Sequence, residues 1–181
     1  MHPLFLKNNC FVLVNFPTVA VVILNWNGKK FLEQFLPSVT ASTYPGLKIA
    51  VADNGSTDDS AAFVAQHYPG ILLLQNKMNE GFAKGYNTAL KQVDAQYYIL
   101  LNSDVEVSPG WIEPVIDLME RNKSIGACQP KIRSWHEKKM FEYAGGSGGW
   151  TDRFGYAFCR GRVFNVLEED RGQYDDAAPV F

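Results

Sequence analysis

The sequence predicts an α/β fold: a mostly parallel, doubly wound sheet with helices on both faces. Three features carry that prediction. Short apolar runs start near Ala20, Leu47, Gly70 and Tyr97, about 23 to 28 residues apart. Helical apolar spacing fills the intervals, each long enough for a right-handed strand–helix–strand crossover. A polar cluster follows every run, and in such sheets ligands gather beyond the carboxyl ends of the strands.

The elements follow in order. "VAVVILNW" is β-branched and apolar at both alternating sets, as for a strand covered on both faces, with Ala20 to Asn25 as its body. Asn27-Gly28 is a turn signal. Phe31, Leu32, Phe35, Leu36 and Val39 have helical spacing, and Pro37 is expected to kink or end that helix. "LKIAVAD" is a second buried strand, after which Ser56 or Thr57 can cap a helix carrying Asp58 and Asp59 in its first turn. "GILLLQN" is the third strand, and Phe82, Tyr86, Ala89, Leu90 and Val93 mark a helix after Gly81. "YYILLN" is the fourth. Ser108 and Pro109 read as N-cap and first position of a helix bearing Ile112, Val115, Ile116 and Met119, and "SIGACQPKI" reads as a further strand.

With 181 residues, 46% hydrophobic and 20% charged, the chain suits one globular domain of ordinary size. A net charge of −2 supplies no basic face, so no nucleic-acid partner is expected. Cys10, Cys128 and Cys159 are odd in number and lack CxxC spacing, which argues against a disulfide framework or zinc site and fits a reducing cytosol. Asn15 and Pro17 interrupt the apolar N-terminal stretch, so no run approaches the roughly 18 residues of a spanning helix. The expected organisation is a lead-in at 1–18, an α/β domain at 19–142, and a Gly/aromatic-rich, then acidic, tail at 143–181. That tail closes with no helix or strand, so the chain reads as cut short.

Four polar clusters share the carboxyl edge of the expected sheet. Asp53 can cap its own turn by accepting backbone N–H groups, or accept hydrogen bonds from a ribose or base. "DNGSTDDSAAFV" is a poor calcium loop, with Gly at the third place and Val64 where a bidentate Glu belongs. "NEGFAKGYN", residues 79–87, is neither a P-loop nor a dinucleotide fingerprint. Its small residues permit close packing, or its helix start near Lys84 holds an anion or sugar. Asp104 in "NSD" is the most informative position. A lone carboxylate repels phosphate, whereas a divalent metal between the two reverses that sign and needs few protein ligands. By itself "NSD" is equally a strand meeting its turn.

Together these residues resemble the GT-A glycosyltransferases, specifically glycosyltransferase family 2 and its rhamnosyltransferase-like branch. The likeness rests on "VVILNWNG" (21–28), "VADNGSTDDS" (51–60), "NEGFAKGYNTAL" (79–90), "YILLNSDVEV" (98–107) and "YAGGSGG" (143–149), spanning roughly residues 18–165. The resemblance implies that Asp53 contacts the base or ribose, with Asn54 beside it in the same substrate-binding loop. It has Asn25 and Asn27 lining the nucleotide pocket, and Asn79, Gly81, Phe82 and Lys84 shaping the nucleotide-sugar side. Asp104 matches the last acid of the family's metal-binding DxD, and Asn102, at the first acid's place, is assigned to substrate binding. Mg²⁺ or Mn²⁺ is the implied cofactor.

The implied reaction is an inverting transfer from a dTDP-, UDP- or GDP-linked sugar to a glycan or lipid-linked acceptor, in surface polysaccharide synthesis. It places the protein in the cytoplasm, at the inner membrane face, with peripheral membrane association. The family's general base lies in an acceptor-binding half that has no match before Phe181, so the base is expected beyond it. Glu168, Glu169 and Asp170 come too early and read as a solvated linker. Two other readings stay open. A sugar-phosphate nucleotidyltransferase would need a Gly-rich, Arg-containing loop where "NWNGKKF" stands. A non-catalytic nucleotide-sugar-binding module needs only the donor edge.

Overall fold

The computed structural model describes residues 16–143 and 146–175, so most of the expected lead-in lies outside the described residues. The chain divides into two compact units, one ending at Val105 and one beginning at Glu106. The first holds a parallel sheet ordered β3-β2-β1-β4, built from β1 (Val19–Asn25), β2 (Leu47–Asp53), β3 (Leu72–Gln75) and β4 (Tyr97–Asn102). β1 is central, as its sequence demands: Val19, Ala20, Val21 and Val22 are fully buried. Strand order reverses at β1, so β1 and β4 diverge at a switch point, the place where open α/β sheets leave a crevice for ligands.

Three helices cover this sheet: α1 (Lys29–Thr40), α2 (Ser60–His67) and α3 (Phe82–Leu90). On one face Ala20, Val22, Ala50, Ala52 and Leu74 pack with Tyr86 and Ala89 of α3. Strand alternation sends Val19, Val21, Ile23 and Val51 to the other face. There the buried residues of α1 (Leu32, Phe35, Leu36, Val39) and Val64 of α2 close the core. β4 is less covered, with Tyr98 and Leu100 about half exposed.

Four expectations change. Pro37 does not end α1, because it sits on the exposed face, where water can take the carbonyl it frees. α2 starts at Ser60, later than a cap at Ser56 or Thr57 implies, because both residues are engaged with the β1 loop. α4 (Glu113–Arg121) begins after Ile112, with Pro114 in its first turn in place of Pro109. Residues 124–132 form no strand; Gly126 and Pro130 interrupt the segment, and Ile125 is its one buried side chain.

The second unit carries α4 and two short hairpins in the Gly/aromatic region: β5 (Gly149–Thr151) with β6 (Ala157–Cys159), and β7 (Arg162–Val163) with β8 (Val166–Leu167). Phe141, fully buried, packs 5.5 Å from the Tyr174 ring, and Gly161 at φ +83° leaves room for it. Lys131 bridges Asp170 at 3.0 Å and Asp175 at 2.5 Å. No helix among the described residues is long and apolar enough to cross a membrane.

Candidate functional site

Strand register brings the polar clusters to one edge. Asn25 pairs with Asp53, Asp53 with Gln75, and Leu24 with Asn102, so β1, β2, β3 and β4 end side by side. Every residue expected at the site lies in the first unit.

The β1 and β2 loops are cross-bonded. Asn25, fully buried, donates from Nδ2 to Asp53 Oδ1 (3.2 Å) and Ser56 Oγ (3.3 Å). Asp53, 4% exposed, also accepts the Ser56 N–H at Oδ2 (3.1 Å), so its turn-capping role is present. A carboxylate has about four acceptor positions, so capacity remains. Asn27 holds φ 49°, a left-handed conformation that Asn tolerates. Its Oδ1 accepts the N–H of Thr57 (2.7 Å) and of Asp58 (3.3 Å).

Asp58 does more than sit near a helix. Its carboxylate accepts the N–H of Lys29, first residue of α1 (3.1 Å), and of Ser60, first residue of α2 (3.1 Å), while neither helix is capped by its own N-cap side chain. Burial pushes this carboxyl up, but bonds from the Ser60 hydroxyl, those two amides and the Lys29 charge outweigh it and hold it below its ordinary value. Sequence reading placed Asp58 in the first turn of α2. Only the return of the β1 loop shows the second helix it serves.

The β2 and β3 loops are joined through Asn54, 2% exposed. It donates to Asn79 Oδ1 (2.9 Å) and Gly81 O (3.2 Å) and accepts from Asn76 Nδ2 (3.0 Å) and the Glu80 N–H (3.1 Å). That uses both donors and both lone pairs of the amide, so Asn54 holds loops in place. Asn76 had no assigned role in sequence terms. Gly55 at φ +74° is pressed against the next loop: a Cβ there would lie 2.5 Å from the Met78 carbonyl carbon. Gly85 lets α3 approach, since a Cβ would meet Asn54 Nδ2 at 3.1 Å.

At the head of α3, Asn79 Oδ1 accepts the Gly81 N–H (2.8 Å), and Phe82 stands 65% exposed with its ring edge-on to Tyr86. Lys84 pairs with Glu80 at 3.1 Å, and the Glu80 carboxyl is lowered first by the Thr88 hydroxyl and then by Lys84. Exposed Trp26, on the β1 loop, is a second aromatic at this edge that the sequence reading left unassigned.

The end of β4 is different. A side chain on Gly28 would collide with Asn25 Oδ1 and come within 3.4 Å of Ser103 Oγ, which sets the β4 turn beside the β1 loop. Asn102 and Asp104 are exposed, and neither makes a side-chain hydrogen bond or ion pair with any described residue. Asn25 Oδ1, beside that turn, is buried without a donor among the described residues. Glu106 is engaged by Lys138 at 3.0 Å. No group of three or more His, Cys, Asp or Glu able to hold a metal exists among the described residues. The donor set is therefore one free carboxylate, a fit for Mg²⁺ or Mn²⁺ only when diphosphate oxygens and water complete the shell. In the acidic run, Glu168 accepts the Tyr174 hydroxyl, Glu169 pairs with Arg171 and Asp170 with Lys131, so each carboxylate has a partner.

Residues 20–169 match the family model described as Glycosyl transferase family 2. An uncharacterized glycosyltransferase of Haemophilus influenzae is 28% identical over 128 residues, covering 69% of this chain and 40% of its own length. An N-acetylglucosaminyl-diphospho-decaprenol L-rhamnosyltransferase of Mycobacterium tuberculosis is 32% identical over 126 residues, covering 64% and 41%. The chain thus spans about two fifths of the length of these relatives. Among solved structures, the mannosyltransferase PcManGT of Pyrobaculum calidifontis, in complex with GDP-Man and Mn²⁺, superimposes with TM-score 0.55 at 21% identity, covering 68% of this chain and 38% of that one. The fold is that of the GT-A transferases.

The chain belongs to glycosyl transferase family 2.

Proposed function

We propose that this member of glycosyl transferase family 2 binds a nucleotide diphosphate sugar at the carboxyl edge of β1–β4, and that the protein transfers the sugar, with inversion, to a glycan or lipid-linked acceptor. One observation carries the reading: Asp104 is an exposed carboxylate with no partner among the described residues, at the sheet's switch point and beside loops whose polar groups are largely bonded to one another. The rhamnosyltransferase relative, by its name, acts on a diphospho-decaprenol, and the mannosyltransferase structure holds GDP-Man and Mn²⁺. The first supports a lipid-linked acceptor and the second a nucleotide sugar donor, which we take to be dTDP-, UDP- or GDP-linked.

In this reading Asp53 offers its remaining lone pairs to ribose or base, and Asn25 and Asn27 shape that pocket. Asn54 positions the loop of Asn79 and Gly81, Phe82 offers an apolar face, and Lys84, shared with Glu80, adds positive charge. Asn102 and Asp104 face the diphosphate. Bound Mg²⁺ or Mn²⁺ would offset the negative charge that builds on the leaving diphosphate. We assign donor binding to residues 19–142 and the start of the acceptor region to 143–181, with synthesis of a surface polysaccharide at the cytoplasmic membrane face as its setting. None of Glu168, Glu169 and Asp170 is assigned as the base. Calorimetric titration with UDP, dTDP and GDP sugars in Mn²⁺ tests the reading: one of them binds saturably, and failure of all three overturns it.

A further inference from the structure

Among the described residues β4 is an edge strand, paired with β1 on one side only. Tyrosine hydroxyls tie down both of its ends. At the amino end, Tyr98 donates to Val93 O (2.9 Å) and accepts the Ala95 N–H (3.2 Å), so both bonds stay within the turn that precedes the strand. At the carboxyl end the tie comes from another element: buried Tyr86, on α3, donates to Leu101 O at 2.9 Å. Burial pushes the Tyr86 phenol above its ordinary value, against the pull of the Leu24 backbone, so the hydroxyl keeps its proton and remains a donor. Leu24 is the register partner of Asn102. The hydroxyl therefore sits where β1 and β4 part.

α3 is itself held firmly. A Cβ on Gly85 would meet Leu24 Cδ1 at 3.0 Å, which presses the helix onto β1, and Asn54 binds Asn79 and Gly81 at its head. One turn before Tyr86, the Phe82 ring lies edge-on to it at 5.0 Å. The helix that presents Phe82 and Lys84 is thus the one that fixes the end of β4. Asp104 has no side-chain partner among the described residues, so its backbone alone sets where its carboxylate stands. Two contacts fix that backbone: the Tyr86–Leu101 bond and the approach of Ser103 to Gly28. Groups that orient a metal ligand without touching the metal contribute strongly to its affinity.

We propose that Tyr86 is a positioning residue for Asp104: its bond to Leu101 O sets the β4 turn so that the carboxylate meets a divalent ion held with the donor's diphosphate. The inference rests on the donor reading and adds a link from the head of α3 to the ion. The test is calorimetric titration of Mn²⁺ into the chain saturated with UDP, dTDP or GDP, beside titration of the same nucleotide in EDTA. Tyr86→Phe, which keeps the ring and loses the hydroxyl, is expected to weaken Mn²⁺ binding about tenfold and to leave nucleotide affinity in EDTA unchanged. Tyr98→Phe removes a comparable phenol–carbonyl bond at the far end of the strand and is expected to change neither. In an Asp104→Ala background, Tyr86→Phe is expected to have no further effect on Mn²⁺. Circular dichroism establishes that both Phe variants are folded. Wild-type Mn²⁺ affinity in Tyr86→Phe, equal weakening in Tyr98→Phe, or a matching loss of nucleotide affinity in EDTA would overturn the proposal. Failure of the donor reading looks different: the wild type then takes up no Mn²⁺ with any of the three nucleotides, or Asp104→Ala binds it as tightly, and the role of Tyr86 falls with it.

Discussion

The two sides of the sheet's carboxyl edge are built differently. On the β2–β3 side, Asn54 spends four hydrogen bonds on its neighbours and is 2% exposed. On the β4 side, the Asn102 and Asp104 side chains spend none among the described residues and are exposed. One side fixes the loops, the other leaves an anionic group uncommitted. Polar residues at strand ends thus divide into those that hold a site's shape and those free to meet a ligand, and composition does not tell them apart.

The contrast can be broken first at its rigid side. Gly55→Ala adds a Cβ against the Met78 backbone at a φ of +74°, and is expected to destabilise by about 3 kcal/mol or more. Denaturant unfolding measures it. Asn54→Ala leaves Asn76, Asn79, the Gly81 carbonyl and the Glu80 amide without their partner. Its expected cost is about 2 to 3 kcal/mol, with donor affinity falling because the Asn79–Gly81 loop loosens. An Asn54→Ala variant as stable as the wild type would contradict the holding role.

Asp58 sharpens the comparison at lower cost. Removing the acceptor shared by Lys29 and Ser60, as in Asp58→Ala, is expected to lower stability by about 1 kcal/mol. The carboxyl is held below its ordinary value in the folded protein. Its stabilising share is therefore full above the unfolded carboxyl value, about 3.9, and is lost as pH falls through the lower folded value. The melting-temperature gap between wild type and Asp58→Ala should narrow on acidification over that window and stay constant above it. Because Asp58 is largely exposed, solvent screens the effect and keeps it below those expected at Gly55 and Asn54.

Much of this architecture is legible in the residues. Buried β-branched runs, helical spacing and crossover lengths give the four parallel strands and the first three helices, and the order of polar clusters gives the edge they share. The features that were not legible depend on the chain's return. Asp58 serves two helices because the β1 loop comes back to it, and Asn76 matters because β3 ends beside β2. Residues 124–132 have strand-like composition, but a strand needs a neighbour, and the segment is broken at Gly126 and Pro130. Ser108-Pro109 looks like a helix start, and Glu113-Pro114 supplies one instead.

Asp104 is the point on which the proposed donor site turns. Its removal is expected to change stability by less than about 0.5 kcal/mol, since its side chain holds no other described residue. The most direct measurement is the melting temperature with the nucleoside diphosphate that binds, with and without Mn²⁺, in wild type and Asp104→Ala. The wild type should gain further stabilisation from Mn²⁺ in the presence of the nucleotide, and Asp104→Ala should lose that added gain while melting normally alone. An equal Mn²⁺-dependent gain in both proteins would contradict the assignment of Asp104 to the metal.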